Sequence, residues 1–128
     1  MKYIGKLDGE KLGKYKNKIV TQNVIITNER IEHIKKRHLN DYEKYINHIS
    51  DIIKNPDYIL IDKDKIDTLM FLKRILDNTK NIIVIVKLNT EIEKIEMSNS
   101  ILTFWQIRNV NYEKMIKNNI IVYKSRHS

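Results

Sequence analysis

Two histidines, an arginine, a threonine, a tyrosine and a few lysines are the side chains of this sequence best suited to chemistry. "NERIEHIKKRH", residues 28–38, holds His33, Arg37 and His38, and so two of the four histidines. "NSILTFWQI", residues 99–107, carries Asn99, Ser100, Thr103 and Trp105. Lys73 lies in "DTLMFLKRIL", and Tyr123 and Lys124 end "IIVYK". Metal-free cleavage of RNA needs a base for the 2′-hydroxyl proton and an acid for the leaving oxygen. It also needs cations and hydroxyl donors around a charged phosphorane. Histidine, lysine, threonine and tyrosine supply those roles. A metal nuclease would need clustered Asp, Glu and His ligands. Here the acidic residues are scattered, and no metal motif or Gly-rich phosphate loop is present. No metal or cofactor is expected.

Each of these residues also has a plainer use. Helical geometry turns about 100° per residue, so His38 shares the face of Ile31 and Ile34 and approaches the sheet. It suits a half-buried structural ring capping helix carbonyls as well as acid–base work. His33 lies on another face and needs a neighbouring segment to cover it; otherwise it is a solvated ring. Alternation places Ile101, Thr103, Trp105 and Ile107 on one strand face, with Leu102, Phe104 and Gln106 on the other. Thr103 is then either a β-former or a hydroxyl donor. Lys73 reads equally as a snorkelling strand residue, and Tyr123 as a core-edge aromatic.

Net charge is +8 and the pI about 9.6, which favours a polyanionic partner. An abundance of Lys, Ile and Asn is also the compositional mark of AT-rich coding sequence. There is no cysteine, which removes disulfides, thiolate zinc sites and a cysteine nucleophile. No apolar run approaches the length of a membrane span, and the N-terminus lacks the apolar core of a signal peptide. The expectation is one soluble cytoplasmic domain over residues 1–128, without membrane contact.

The elements that must position these residues follow from pattern. Residues 1–26 read as short strands and turns, and residues 125–128 as a tail. Thr27 or Asn28 caps a helix running to about His38. "LNDYEKY" restarts a second helix, with Asp41 as its cap, and Pro56 forbids continuation. "DYILID", "DTLMFLKRIL", "NIIVIVKL" and "SILTFWQIRNV" read as four strands joined by short turns and by a polar loop, "NTEIEKIEMSN". "NYEKMIKNN" is a short helix and "IIVYK" a last strand. The order indicates an α+β fold, with an antiparallel sheet packed on helices.

At this point the sequence resembles a known family. "VIITNERIEHIKKRH", "NPDYIL", "DTLMFLKRI", "NSILTFWQI" and "IVYK" are similar, in order and distance, to the phage-associated nucleases of the barnase–EndoU–colicin–RelE (BECR) superfamily. The likeness runs from about residue 20 to residue 124. It implies N-terminal helices on a four- or five-stranded antiparallel sheet, and metal-independent ribonuclease chemistry often deployed as a toxin. Position by position, the family's helical histidines match His33 and His38, and its strand lysine matches Lys73. Its "NSI-T-W" strand matches Asn99, Ser100, Thr103 and Trp105, and its terminal pair matches Tyr123 and Lys124. Many relatives carry proline after the second histidine, where this chain has Leu39.

The combined expectation is a toxin-like endoribonuclease. His38 is its first choice of general acid or base, with His33 as partner or orienter. Thr103 and Tyr123 would donate to the scissile phosphate, and Lys73 and Lys124 would stabilise its charge. Arg37 with its basic neighbours, and Asn99 and Ser100, would hold the backbone, and Trp105 would stack a base. RNA is the expected partner, along with an acidic antitoxin or immunity protein. Two alternatives stand beside this: a nucleic-acid-binding module without catalysis, and a phage or mobile-element protein acting through protein contacts.

Overall fold

The computed structural model describes residues 1–94 and 97–128. Seven strands among the described residues form one sheet. They are β1 (Lys2–Lys6), β2 (Asn23–Ile26), β3 (Tyr58–Ile61), β4 (Thr68–Ile75), β5 (Lys80–Lys87), β6 (Asn99–Ile107) and β7 (Ile121–Lys124). Helices α1 (Asn28–Arg37), α2 (Leu39–Tyr45) and α3 (Ile49–Lys54) separate β2 from β3, and α4 (Asn109–Asn118) separates β6 from β7. No helix among the described residues is long and apolar enough to cross a membrane.

The strand order is β1-β2-β6-β5-β4-β3-β7. The four central segments form the antiparallel meander β3-β4-β5-β6. The expected four- or five-stranded, wholly antiparallel sheet is overturned. N-terminal β1 and β2 and C-terminal β7 join the meander, and β2 runs parallel to β6. The helices between β2 and β3 carry the chain past the sheet, and the meander then walks back until β6 arrives beside β2. The class remains α+β.

Helices also cover both faces, where an N-terminal layer alone was expected. On one face Phe71, Val84 and Phe104 pack with Ile34, Tyr45, Ile49 and Ile52 of the helical segment. On the other, Leu60, Leu72, Ile83 and Ile107 pack with Tyr112 of α4. Burial on both sides is why "TLMFL" and "IIVIV" are continuous apolar runs with no alternation.

A polar cluster fastens α4. Arg74 Nε donates to Asn81 Oδ1 at 3.1 Å, and Asn81 Nδ2 donates to Asn109 Oδ1 at 2.7 Å. The Arg74 guanidinium also meets Glu113 at 2.7 Å and lies 4.7 Å from the Tyr112 ring centroid. Burial, reinforced by the nearby Asp57 charge, pushes the Tyr112 phenol above its ordinary range.

One bulge changes the faces of β6. Thr103 lies opposite Ile85 and Ile101 opposite Val86, so Leu102 is the extra residue. Ile101 therefore joins Phe104 in the core beneath α1–α3, against the alternation expected. Leu102 and Trp105 pack on the α4 side. Of the loop expected over "NTEIEKIEMSN", residues 92–94 form a short 3-10 turn, and residues 95 and 96 lie outside the described residues.

The parallel junction is short, with Val24 opposite Asn99 and Ile25 opposite Ser100. Asn99 clamps it from a fully buried position. Its Nδ2 donates to the carbonyls of Thr21 and Asn23, both at 3.0 Å, and its Oδ1 accepts from Asn89 N–H at 2.8 Å. Asn99→Ala leaves three partly buried backbone groups without their partner, so it should cost about 2–3 kcal/mol by urea unfolding.

A second expectation concerns alkaline pH. A phenol whose folded-state pKa is raised contributes stability that is complete below its unfolded pKa, about 10, and is lost as pH rises beyond it. Thermal melts of the Tyr112→Phe protein should therefore fall less steeply above that pH than those of the parent.

Candidate active site

The first turn of α1 sets the geometry. Thr27 is its N-cap, the Oγ1 accepting from Arg30 N–H at 3.2 Å. Such a cap is worth about 1 kcal/mol. Ile34 is fully buried and fixes the rotation of the helix. Arg30, His33 and Arg37, spaced three and four apart, then form a stripe on the flank. That stripe faces a cleft of about 320 Å³.

The floor of the cleft is Met70 of β4, Ile85 of β5 and Leu102, Thr103 and Trp105 of β6. Met115 of α4 and the β3–β4 turn, through Asp62 and Lys65, complete the lining. Arg30, Arg37 and Lys65 bring three cations against one carboxylate. Among the described residues none of these three cations is ion-paired. Asp62 Oδ1 accepts from Asp64 N–H at 3.1 Å, which holds the carboxylate in its turn. The cleft thus joins cations, a hydroxyl, an imidazole and a carboxylate, the groups that phosphoryl transfer uses.

His38 ends α1. Its N–H donates to Ile34 O at 2.8 Å, and its carbonyl accepts from Asp41 N–H at 2.9 Å, turning the chain directly into α2. Its ring stacks on Trp105, with centroids 5.4 Å apart and planes at 7°. His38 does reach the sheet, as its helix face requires, but meets it at Trp105. The ring lines the indole and not the cleft itself. Asp41, expected as a helix cap, instead accepts from Gln106 N–H on the outer edge of β6 at 3.1 Å. Tyr45 OH donates to the Gln106 side chain at 2.7 Å.

His33, Arg37, Thr103 and Trp105 are thus brought together at the cleft, with His38 behind Trp105. The other expected site residues lie elsewhere. Lys73 faces the α3 side, where Nζ donates to Asn55 O and meets Asp51 at 3.7 Å. Tyr123 sits on β7, separated from β6 by β5, β4 and β3, and packs into the core beneath α1–α3. Lys124 is exposed at the end of that strand, opposite Tyr58. Asn99 is the buried clamp already described. Ser100 lies opposite Lys87 and lines a separate depression with Lys94 and Thr90.

Arg30, Asp62, Lys65, Met70 and Met115 went unnoticed in the sequence. The spacing Arg30–His33–Arg37 was a readable signal for the first. Asp62 and Lys65 sit in the polar turn "DKDK", and nothing local shows that this turn faces α1.

The sequence profile of the family described as phage-Barnase-EndoU-ColicinE5/D-RelE like nuclease2 matches residues 1–124. The chain belongs to this family of phage BECR-like nucleases. No curated protein and no solved structure matches it. Family membership gives a nuclease-like function in general.

Trp105 is the only tryptophan in the chain, so its emission reports on the stack. His38→Ala uncovers one indole face to water and should shift that emission to the red. His38→Phe, which preserves a stacked ring, should not.

Proposed function

We propose that this BECR-like protein is a metal-independent endoribonuclease. The observation that carries the reading is the single cleft in which His33, Thr103, Arg30, Arg37, Lys65 and Asp62 converge. A nearby base takes the proton of a ribose 2′-hydroxyl, and that oxygen bonds to the adjacent phosphorus. The bond from phosphorus to the 5′-oxygen breaks, and an acid returns a proton to the departing oxygen. The products are a 2′,3′-cyclic phosphate and a free 5′-hydroxyl. His33 and Asp62 are the acid–base side chains of the cleft and are assigned these two transfers, one as base and one as acid. Thr103 donates to a non-bridging phosphate oxygen, and the two arginines and Lys65 balance the growing charge. His38 acts through Trp105 as a positioning residue. An excess of positive charge supports a nucleic-acid substrate, and an acidic inhibitor protein would suit the same surface.

Purified protein incubated with total RNA should release 2′,3′-cyclic ends with EDTA present, and RNA methylated at the 2′-oxygen should stay intact. His33→Ala should reduce the single-turnover rate by about two to four orders of magnitude. The melting temperature should barely change, since His33 is exposed. Strict magnesium dependence, or full activity in His33→Ala, would overturn the mechanism.

A further inference from the structure

The floor of the cleft is apolar where phosphate chemistry needs no apolar surface. Met70 and Ile85 are each only 7% exposed, and Leu102 and Met115 pack half-buried against them. The cations stand on α1 and on the β3–β4 turn. The cleft therefore has two chemistries: charged sides suited to a phosphodiester, and a thioether and aliphatic floor suited to a flat apolar face. Small-ligand sites typically combine an apolar lining with a few polar groups in this way.

The β6 bulge places the two side by side. It turns Leu102 and Thr103, consecutive in sequence, towards the same cleft. A hydroxyl donor and an apolar surface are then neighbours, as a phosphate and its base are in one nucleotide. Trp105 offers less than it first suggests, because His38 already covers one indole face.

We propose that this floor is a nucleobase pocket, and that the protein engages an unpaired nucleotide whose base lies on Met70, Leu102 and Met115 while its phosphate meets Thr103 and the α1 arginines. A base inside a duplex is stacked and paired, and has no free face to lay on such a floor. The substrate class is accordingly single-stranded RNA, or a loop or bulge, in preference to a continuous helix. Methionine sulfur adds favourable contacts with aromatic rings and adapts to different bases, so the pocket selects an unpaired base more than one particular base.

This inference rests on the nuclease reading but is tested without cleavage. Single-stranded DNA, lacking the 2′-hydroxyl, is inert under the proposed chemistry and serves as the binding probe. Fluorescence anisotropy would compare three short labelled oligonucleotides: a single strand, the same strand with abasic positions, and a blunt duplex. The base-bearing strand should bind about five- to tenfold more tightly than the abasic strand of equal charge, the scale of one ring's contacts. The duplex should not outcompete the single strand. Met115→Gln, a half-buried helix position, should erase the difference between base-bearing and abasic strands while leaving the melting temperature close to that of the parent. Equal affinity for both strands, tighter duplex binding, or an unchanged preference in Met115→Gln would overturn the pocket. RNA cleavage together with equal binding of the base-bearing and abasic strands would sink the pocket and leave the nuclease reading intact. A base preference without any RNA cleavage would do the reverse, and no binding to any probe would count against both.

Discussion

Everything at the candidate site depends on how the outer edge of β6 is covered. β2 pairs with only two residues of that strand and then leaves it for α1. An uncovered edge presents unpaired backbone groups, a template for unwanted pairing. The chain resolves this by laying α1 and α2 against β6. Asp41 accepts directly from the edge N–H of Gln106, and Tyr45 holds its side chain. A helix forced to run along a strand edge exposes one flank beyond the sheet. That flank holds Arg30, His33 and Arg37, so the same packing that seals the edge builds one wall of the cleft.

The opposite wall has a different origin. The β6–β7 connection must cross the second face of the sheet to reach the far edge, because β7 pairs with β3. α4 makes that crossing, with Tyr112 buried in the second core and Asn109 bound by Asn81. It covers the sheet only in part, and the strip left between α4 and α1 is the cleft. The surface ion pairs contribute little to holding this frame. Apolar burial on the two faces and the buried Asn99 clamp do most of it.

Much of this was legible in the sequence at the level of elements. Thr27, Pro56 and the β-branched runs marked helix and strand limits well, and every strand of the sheet had a visible segment. Long-range order was not legible. Nothing in "KYIGKL" or "NVII" states that these short strands extend the meander, and nothing local announces one parallel pair. The sites divide along the same line. His33, Arg37, Thr103 and Trp105 come from an adjoining helix and strand, and they meet. Lys73 and Tyr123 lie on strands whose face is decided by register with partners far away, and both turn towards the opposite side of the sheet. Continuous apolar runs hide which side is which, because both are buried. The bulge at Leu102 has no signature in composition, yet it decides that Leu102 and Thr103 look the same way.

The β2–β6 junction carries a consequence for the order in which the molecule comes into being. It joins Val24 to Asn99, a loop closure across most of the chain, and such distant contacts form slowly during folding. On the ribosome β2 emerges early and must wait until the whole meander has been synthesised before its partner exists. The edge of β6, the seat of α1 and hence the wall carrying His33 are settled only then. The nascent domain therefore has no complete cleft until β6 has emerged. Whatever chemistry the cleft performs is thereby confined to the finished fold.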